Sequence, residues 1–154
     1  MLTITLPASL FNLGQFIVPV SNWLKSQGLS RQKIVRIELA LEEALVNISR
    51  YAYPQGRGDI EVHCQLLEEN RYLIEIIDSG IFFDVCALPT PELKACVAER
   101  EVGGLGVYLM RKMADEITYR REKNKNILRL IFQATPDRNA GETPFNPGQR
   151  GIQR

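Results

Sequence analysis

The chain begins with apolar and polar residues in alternation over residues 2–6, a pattern that predicts a short β-strand. Apolar residues then recur at helical spacing over about 8–27 and again over about 31–51, which predicts two amphipathic helices. Pro19 lies inside the first of them, so we expect a kink or break at that point. Residues 53–58 contain one proline and two glycines and predict a turn.

The second half of the chain combines strand patterns with one further helix. It predicts, in order, strands over about 59–67 and 71–78 that form a hairpin, a long loop over 79–103, a helix over about 104–114, and strands over about 116–121 and 127–134. Helices grouped with consecutive hairpins indicate an α+β two-layer sandwich, in which a mixed, mostly antiparallel sheet is covered on one face by about three helices. The last residues are rich in proline and glycine, so we divide the chain into a domain, 1–135, and a tail, 136–154.

Composition and charge narrow the class of protein. The 154 residues are 45% hydrophobic with a formal net charge of +1, which fits one globular domain and gives no basic excess for nucleic acid. No apolar run reaches the ~18–20 residues that span a bilayer, and the first residues lack the basic segment of a signal peptide. We therefore expect a cytoplasmic protein without membrane contact.

The cysteines favour reduced thiols over a disulfide framework or a zinc site. Cys64, Cys86 and Cys96 are an odd number and have no CxxC spacing. His63 is adjacent to Cys64, but neighbouring side chains of a strand point to opposite faces, so the two do not form a metal site together.

Glu43 and Asn47 form the first candidate motif. They are four residues apart on the second predicted helix, so both side chains share one face, beside the apolar stripe. A carboxylate there can act as a general base, and an amide oxygen one turn away can ligate Mg²⁺, which prefers oxygen ligands. The same spacing also suits an ordinary exposed glutamate and a surface asparagine.

The second motif is Asp78 followed by Gly80, at the end of a predicted strand. Asp78 has the same parity as Ile74 and Ile76, so its carboxylate points towards apolar surroundings and requires a partner. The amino group of a purine is a suitable donor, and Gly80 permits close approach of the backbone to a flat ring. The alternative is an aspartate that only turns a hairpin.

The third motif is the run Gly103-Gly104-Leu105-Gly106, which continues directly into a predicted helix. Free N–H groups at a helix start favour phosphate oxygens, and glycines let the backbone fold closely around them. The run lacks the GK[ST] of a Walker A motif and does not follow a first strand as a Rossmann motif does. A flexible beginning of a helix is the alternative.

Taken in this order, the three motifs resemble those of the GHKL ATPase superfamily, which includes gyrase, Hsp90, histidine kinases and MutL. The resemblance covers roughly residues 30–134 and implies the histidine-kinase-like ATPase fold. Within the superfamily, the segments LEEALVNISRYAYP, IIDSGIFFDV and GGLGVYLMRKMADEITYRR look most like those of the anti-sigma-factor serine-protein kinases.

The resemblance implies a role for each matching residue. Glu43 would be the catalytic base, Asn47 the Mg²⁺ ligand and Asp78 the partner of the adenine amino group. The nucleotide would also contact Gly80 beside the ring, Phe83, the phosphate-lining residues Gly103, Gly104, Leu105 and Gly106, and Arg100 at the γ-phosphate. For Arg100, a solvated loop residue is the alternative. The segment of about 84–102 would be a lid over the ATP.

Three positions depart from the family pattern. Tyr51 stands where many relatives have histidine, four residues after the asparagine, and Phe82 replaces a glycine of the DxGxGF form. The threonine frequent in the last strands of relatives has no clear equivalent around Asn126–Leu128. Because Phe82 would crowd the hinge of the lid, we expect this chain to differ from its relatives most in nucleotide affinity and in lid movement.

The family implies an ATP-dependent serine/threonine-protein kinase that acts as an anti-sigma factor. Its substrate would be an antagonist protein of the STAS type, its other partner a sigma factor, its cofactors ATP and Mg²⁺, and its assembly a homodimer. Tyr51 and Phe82 keep a second interpretation open, a non-catalytic module that binds nucleotide or sequesters a regulator. A part of an ATP-hydrolysing assembly is a third interpretation.

Overall fold

Five strands and three α-helices make up the part of the chain that the computed structural model describes, residues 1–84 and 104–134. In chain order they are β1 (Leu2–Pro7), α1 (Leu13–Ser26), α2 (Arg31–Asn47), β2 (Asp59–Leu67), β3 (Arg71–Asp78), α3 (Gly104–Met113), β4 (Glu116–Glu122) and β5 (Lys125–Gln133). Two 3₁₀ turns, Leu10–Asn12 and Glu68–Asn70, precede α1 and β3, and a π-helical turn, Ile48–Ala52, follows α2. The predicted strands and helices are confirmed, except that the helix predicted over 31–51 divides into α2 and the π-helical turn. Most of the loop predicted over 79–103 lies outside the described residues.

The strands form a single sheet in the order β1-β2-β3-β5-β4, and each neighbouring pair of described strands is antiparallel. Alternate residues of the strands are buried against the helices in one hydrophobic core, so the helices cover one face of the sheet. The predicted α+β two-layer architecture with a mainly antiparallel sheet is confirmed.

The core holds the two layers together through apolar burial, which contributes about 25 cal/mol per Å² removed from water. Its largest fully buried side chains come from all three helices and from the central strands, and they include Phe16, Leu24, Ile37, Leu41, Leu45, Ile60, Ile74, Ile76, Met110 and Leu130. Among the described helices, none has the length and apolarity needed to cross a bilayer.

Helix α1 continues through Pro19 as one helix, so of the predicted kink or break the break does not occur. A proline removes one backbone hydrogen bond from the helix interior. Phe16, Val20 and Leu24 lie on both sides of Pro19 and are buried in the core. Their packing fixes the helix on either side of the missing bond.

Cys64 and His63 lie on opposite faces of β2, as the alternation predicts. Cys64 is buried, and burial raises the pKa of its thiol to about 12, so the thiol is neutral and unreactive at physiological pH. His63 lies on the other face, where its Nε2 is 2.7 Å from Glu61 Oε1. The described residues contain no group of three or more His, Cys, Asp or Glu side chains that could hold a metal ion.

Candidate functional site

A pocket lies between the C-terminal end of α2, the end of β3 and the beginning of β5. We call it the Asp78 pocket; it is lined by Ala44, Asn47, Ile48, Tyr51, Ala52, Asp78, Ile81, Phe83, Tyr119, Asn126 and Leu128. Its empty volume, counted with its opening to solvent, is about 440 Å³.

The Asp78 pocket is narrow in this conformation. The centre of a water molecule can occupy only about 30 Å³ of it. Ile81 and Phe83, which line it, are 52% and 37% exposed and so are not held by the core. Outward movement of these two side chains would widen the pocket.

Asp78 supplies the buried carboxylate of the pocket. Asp78 is only 5% exposed. Its Oδ1 accepts hydrogen bonds from the Gly80 N–H at 2.8 Å and from Asn126 Nδ2 at 2.9 Å. Because both of these bonds end on Oδ1, we expect Oδ2 to be the oxygen that meets a donor on a ligand. Burial raises the pKa of Asp78, while these two hydrogen bonds and the charge of Arg121 act in the opposite direction.

The π-helical turn after α2 shapes one wall of the pocket. Such turns are frequent at functional sites because they change the direction in which the following side chains point. Here the turn brings Tyr51 to the pocket wall and directs the Ala52 carbonyl to the Ile81 N–H at 2.9 Å. The residue that departs from the family pattern at position 51 therefore lies in the pocket itself.

Gly80 brings the end of β3 against the π-helical turn. A Cβ at this position would lie 2.4 Å from the Ala52 carbonyl oxygen and 2.5 Å from the Ala52 Cβ. The requirement is close approach of two backbones rather than an unusual dihedral angle. Gly80 is not among the residues that line the Asp78 pocket.

Gly80→Ala is expected to lower the free energy of unfolding by about 2 kcal/mol, because the obstructing atoms belong to a backbone and a methyl group that cannot rotate away. Urea unfolding followed by circular dichroism measures the change. Gly14→Ala is the matched control: a Cβ there meets nothing within 4 Å, so no loss is expected. An unchanged urea midpoint for Gly80→Ala would contradict the packing argument.

Glu43 and Asn47 of α2 meet the first turn of α3 at Gly106. A Cβ on Gly106 would lie 2.4 Å from Glu43 Oε2 and 3.7 Å from Asn47 Nδ2. The first N–H groups of a helix have no partner within it and are suited to anions. Burial raises the pKa of the Glu43 carboxyl, as does nearby Glu42, whereas Arg50 acts in the opposite direction. A raised pKa suits a general base working near neutral pH.

Asn47 connects the two ends of the site. It lines the Asp78 pocket, it lies near Gly106, and it is only 7% exposed. Its Nδ2 is buried without a hydrogen-bond partner, which costs about 1–3 kcal/mol unless a ligand satisfies it. An unsatisfied amide donor suits a phosphate oxygen, and a half-turn of the amide would present its oxygen to a cation.

The other residues predicted to contact the nucleotide are only partly within the described chain. Phe83 lines the pocket. Gly104 begins α3, and Leu105 in the same first turn is 44% exposed. Gly103, Arg100 and the proposed lid beyond Asp84 lie outside the described residues. Phe82 does not line the pocket; it is 62% exposed and packs edge-to-face against Tyr119, with ring centroids 5.7 Å apart.

Sequence reasoning missed Asn126, Tyr119 and Arg121. Asn126 is paired with Asp78 across β3 and β5 and is only 5% exposed. One signal was present: Asn126 shares the parity of the buried residues Leu128 and Leu130, which marks it as a polar residue on the core-facing side of β5.

A sequence model of the histidine kinase-like ATPase domain matches residues 6–132, which make up most of the chain. The chain belongs to the histidine kinase-like ATPase family. The resemblance seen in the three motifs is thereby confirmed, and the Asp78 pocket lies within the matched residues.

Curated relatives of this ATPase domain are similar over part of their length. The serine-protein kinases RsbW of Bacillus cereus (strain AH820) and Bacillus anthracis are 29% identical to it over 105 residues. The similar part is 66% of this chain and 65% of each relative, just under two thirds of their length.

Solved structures share the fold of this ATPase domain. The SiaB–SiaC complex from Pseudomonas aeruginosa has a TM-score of 0.65 at 18% identity, covering 86% of this chain and 89% of the other. The RsbU and RsbW domains of Rv1364c from Mycobacterium tuberculosis have a TM-score of 0.61 at 16% identity, covering 86% of this chain and 32% of the other. These identities establish the fold alone.

Proposed function

We propose that this domain binds ATP with Mg²⁺ and transfers the γ-phosphoryl group to a serine or threonine of an antagonist protein of the STAS type, acting as an anti-sigma factor. The observation that carries the proposal is Asn47, whose unsatisfied buried amide joins the Asp78 pocket to the contact between Glu43 and Gly106. The similarity to serine-protein kinases RsbW supports the choice of a protein hydroxyl as acceptor.

The adenine ring is assigned to the Asp78 pocket. Asp78 Oδ2 accepts a hydrogen bond from the exocyclic amino group, while Ile81, Phe83 and Leu128 supply apolar contacts to the ring. Guanine and hypoxanthine carry a carbonyl oxygen in place of that amino group, and a carboxylate repels it. The pocket therefore favours adenine.

The phosphates are assigned to the first turn of α3. Gly104 and Gly106 have no side chains that could cover its first N–H groups, and the absence of a side chain on Gly106 makes room for the Glu43 carboxylate. Mg²⁺, held through the Asn47 amide oxygen, would neutralise charge on the phosphate oxygens. We assign to Gly103 and Arg100 the phosphate contacts that the family implies.

Glu43 is assigned as the general base. As the acceptor hydroxyl oxygen bonds to the γ-phosphorus, the Glu43 carboxylate takes the hydroxyl proton and the bond to the β-phosphate oxygen breaks, releasing ADP. The raised pKa of the Glu43 carboxyl increases its proton affinity in this step.

The decisive experiment combines the purified protein, Mg-ATP and candidate antagonists of the STAS type. Phosphate found by mass spectrometry on an antagonist serine or threonine supports the kinase. ATP binding without transfer to any antagonist supports the alternative, a non-catalytic regulatory module, which the position of Tyr51 in the pocket favours. No binding of ATP at all refutes the kinase and the nucleotide-binding form of the module, and leaves only a module that sequesters a regulator without nucleotide. A sigma-factor partner, a homodimer, a cytoplasmic location and the division into 1–135 and 136–154 are further parts of the proposal.

Asn47→Ala is expected to remove the Mg²⁺-dependent part of nucleotide affinity, about tenfold or more, because a charge-assisted contact is lost. Calorimetric titration of ADP with and without MgCl₂ measures it. Asn22→Ala, at an exposed position of α1, is the control and should behave as wild type. Unchanged Mg²⁺ dependence in Asn47→Ala would count against the assigned role.

A further inference from the structure

Asn126 lies at the centre of a hydrogen-bond network on the sheet side of the Asp78 pocket. Its Nδ2 donates to Asp78 Oδ1 and to the Ile81 carbonyl, both at 2.9 Å. Its Oδ1 accepts from the Tyr119 hydroxyl and from Arg121 Nη1, both at 2.7 Å. The network thus joins β3, β4, β5 and the segment that follows β3.

The Asn126 amide is saturated by these protein groups. A primary amide offers two N–H donors and an oxygen with two lone pairs. All four are used within the network, so Asn126 has no polar group left for a nucleotide. Asn126 can therefore act on a nucleotide only through its neighbours, and the neighbour that faces the nucleotide is Asp78.

Arg121 extends the network to the backbone after β3. Its Nη1 donates to the Gly80 carbonyl at 3.0 Å as well as to Asn126 Oδ1. The backbone of Phe83 hydrogen-bonds Tyr119, whose hydroxyl also donates to Asn126. The segment of residues 80–83 is therefore tied to β4 and β5 at several points, although Ile81 and Phe82 are more than half exposed.

We propose that Asn126 and Arg121 are positioning residues for base recognition: they hold Asp78 Oδ1 and the segment of residues 80–83 so that Asp78 Oδ2 faces the amino group of adenine. This inference rests on the proposed function, since it assumes an adenine nucleotide in the Asp78 pocket. Asn126 has no polar group left to bond the base, and Arg121 does not line the pocket. From β4 and β5, they hold the Asp78 carboxylate in one orientation.

The network also keeps the Asp78 carboxyl suited to accept a hydrogen bond from the base. Burial raises its pKa, and the hydrogen bond from Asn126, the one from the Gly80 N–H and the Arg121 charge oppose that rise. Without them, Asp78 could rotate or take a proton, and either change would weaken its selection of an amino group over a carbonyl.

Base preference tests the inference, because general damage to the fold would not change it selectively. Affinities for ADP and for IDP, which has a carbonyl oxygen in place of the amino group, are measured by calorimetry on the full chain. Wild type should prefer ADP by about tenfold or more. Asn126→Ala should lose about tenfold for ADP with little change for IDP, so that the preference disappears.

Arg121→Gln provides a second variant, and because Arg121 is exposed we expect the substitution to leave the core intact. It should reduce the ADP preference by about threefold. Arg120→Gln, the adjacent arginine on the other face of β4, is the matched control and should retain the wild-type preference.

The outcomes separate the two proposals. If wild type binds neither nucleotide, the proposed function fails and this inference fails with it. If wild type prefers ADP but Asn126→Ala and Arg121→Gln keep that preference, or lose affinity for ADP and IDP equally, only the positioning role is overturned. Equal wild-type binding of ADP and IDP also overturns it, while leaving nucleotide binding intact.

Discussion

Glu43→Gln is expected to reduce phosphoryl transfer to the antagonist by about 10²–10⁴-fold while leaving the affinity for ADP close to that of wild type. Glutamine has nearly the same shape, so the contact with Gly106 is preserved. It cannot accept the hydroxyl proton, however, and the loss falls on the chemical step. Transfer is measured as phosphate incorporated into the antagonist in single-turnover conditions, and ADP affinity by calorimetry.

Glu42→Gln is the matched control for this prediction. Glu42 is the adjacent carboxylate on α2, but it is exposed and does not contact Gly106. Its replacement should leave the transfer rate within about threefold of wild type, since it affects Glu43 only through charge. Equal rates for Glu43→Gln and wild type would remove Glu43 from the mechanism without affecting the assignment of the pocket.

Asp78→Asn is expected to lower ADP affinity by about a hundredfold or more and to narrow or reverse the preference over IDP. The hydrogen bonds from Gly80 and Asn126 require an acceptor at Oδ1, so the amide oxygen of the variant takes that place. The amide NH₂ then occupies the position of Oδ2. It opposes the amino group of adenine and complements the carbonyl oxygen of hypoxanthine.

Calorimetric titration with both nucleotides measures this change of preference. Asp59→Asn, at an exposed aspartate that begins β2, is the control and should bind as wild type. If Asp78→Asn weakens ADP and IDP to the same extent, Asp78 supports the pocket but does not recognise the base. If it weakens neither, the nucleotide does not occupy the Asp78 pocket.

Tyr51 and Phe82, two of the three departures from the family pattern, have different places in the structure. Phe82 packs on Tyr119 outside the pocket, whereas Tyr51 lies in its wall. Asn126, in the stretch where the family's threonine has no clear equivalent, lies across from Asp78 on β5. None of this could be predicted from the residues alone, since strand register and the π-helical turn decide which side chains face the same space.

Periodicity alone determined the elements and the two-layer class of the fold, because burial imposes a period of two on strands and about 3.6 on helices. It also determined that Asp78 is buried, through its parity with Ile74 and Ile76. Local spacing placed Glu43 and Asn47 on one face of a helix. These properties depend on neighbours in the chain, so the sequence contains them.

The tertiary structure decided which distant segments meet. It placed Gly106 against Glu43, Gly80 against Ala52, and Asn126 between Asp78 and Arg121. Each contact joins residues that lie well apart along the chain or on different strands. Such contacts are set by the packing of the whole core, where close-packed layers admit one register and one approach of backbones, and no local pattern encodes them.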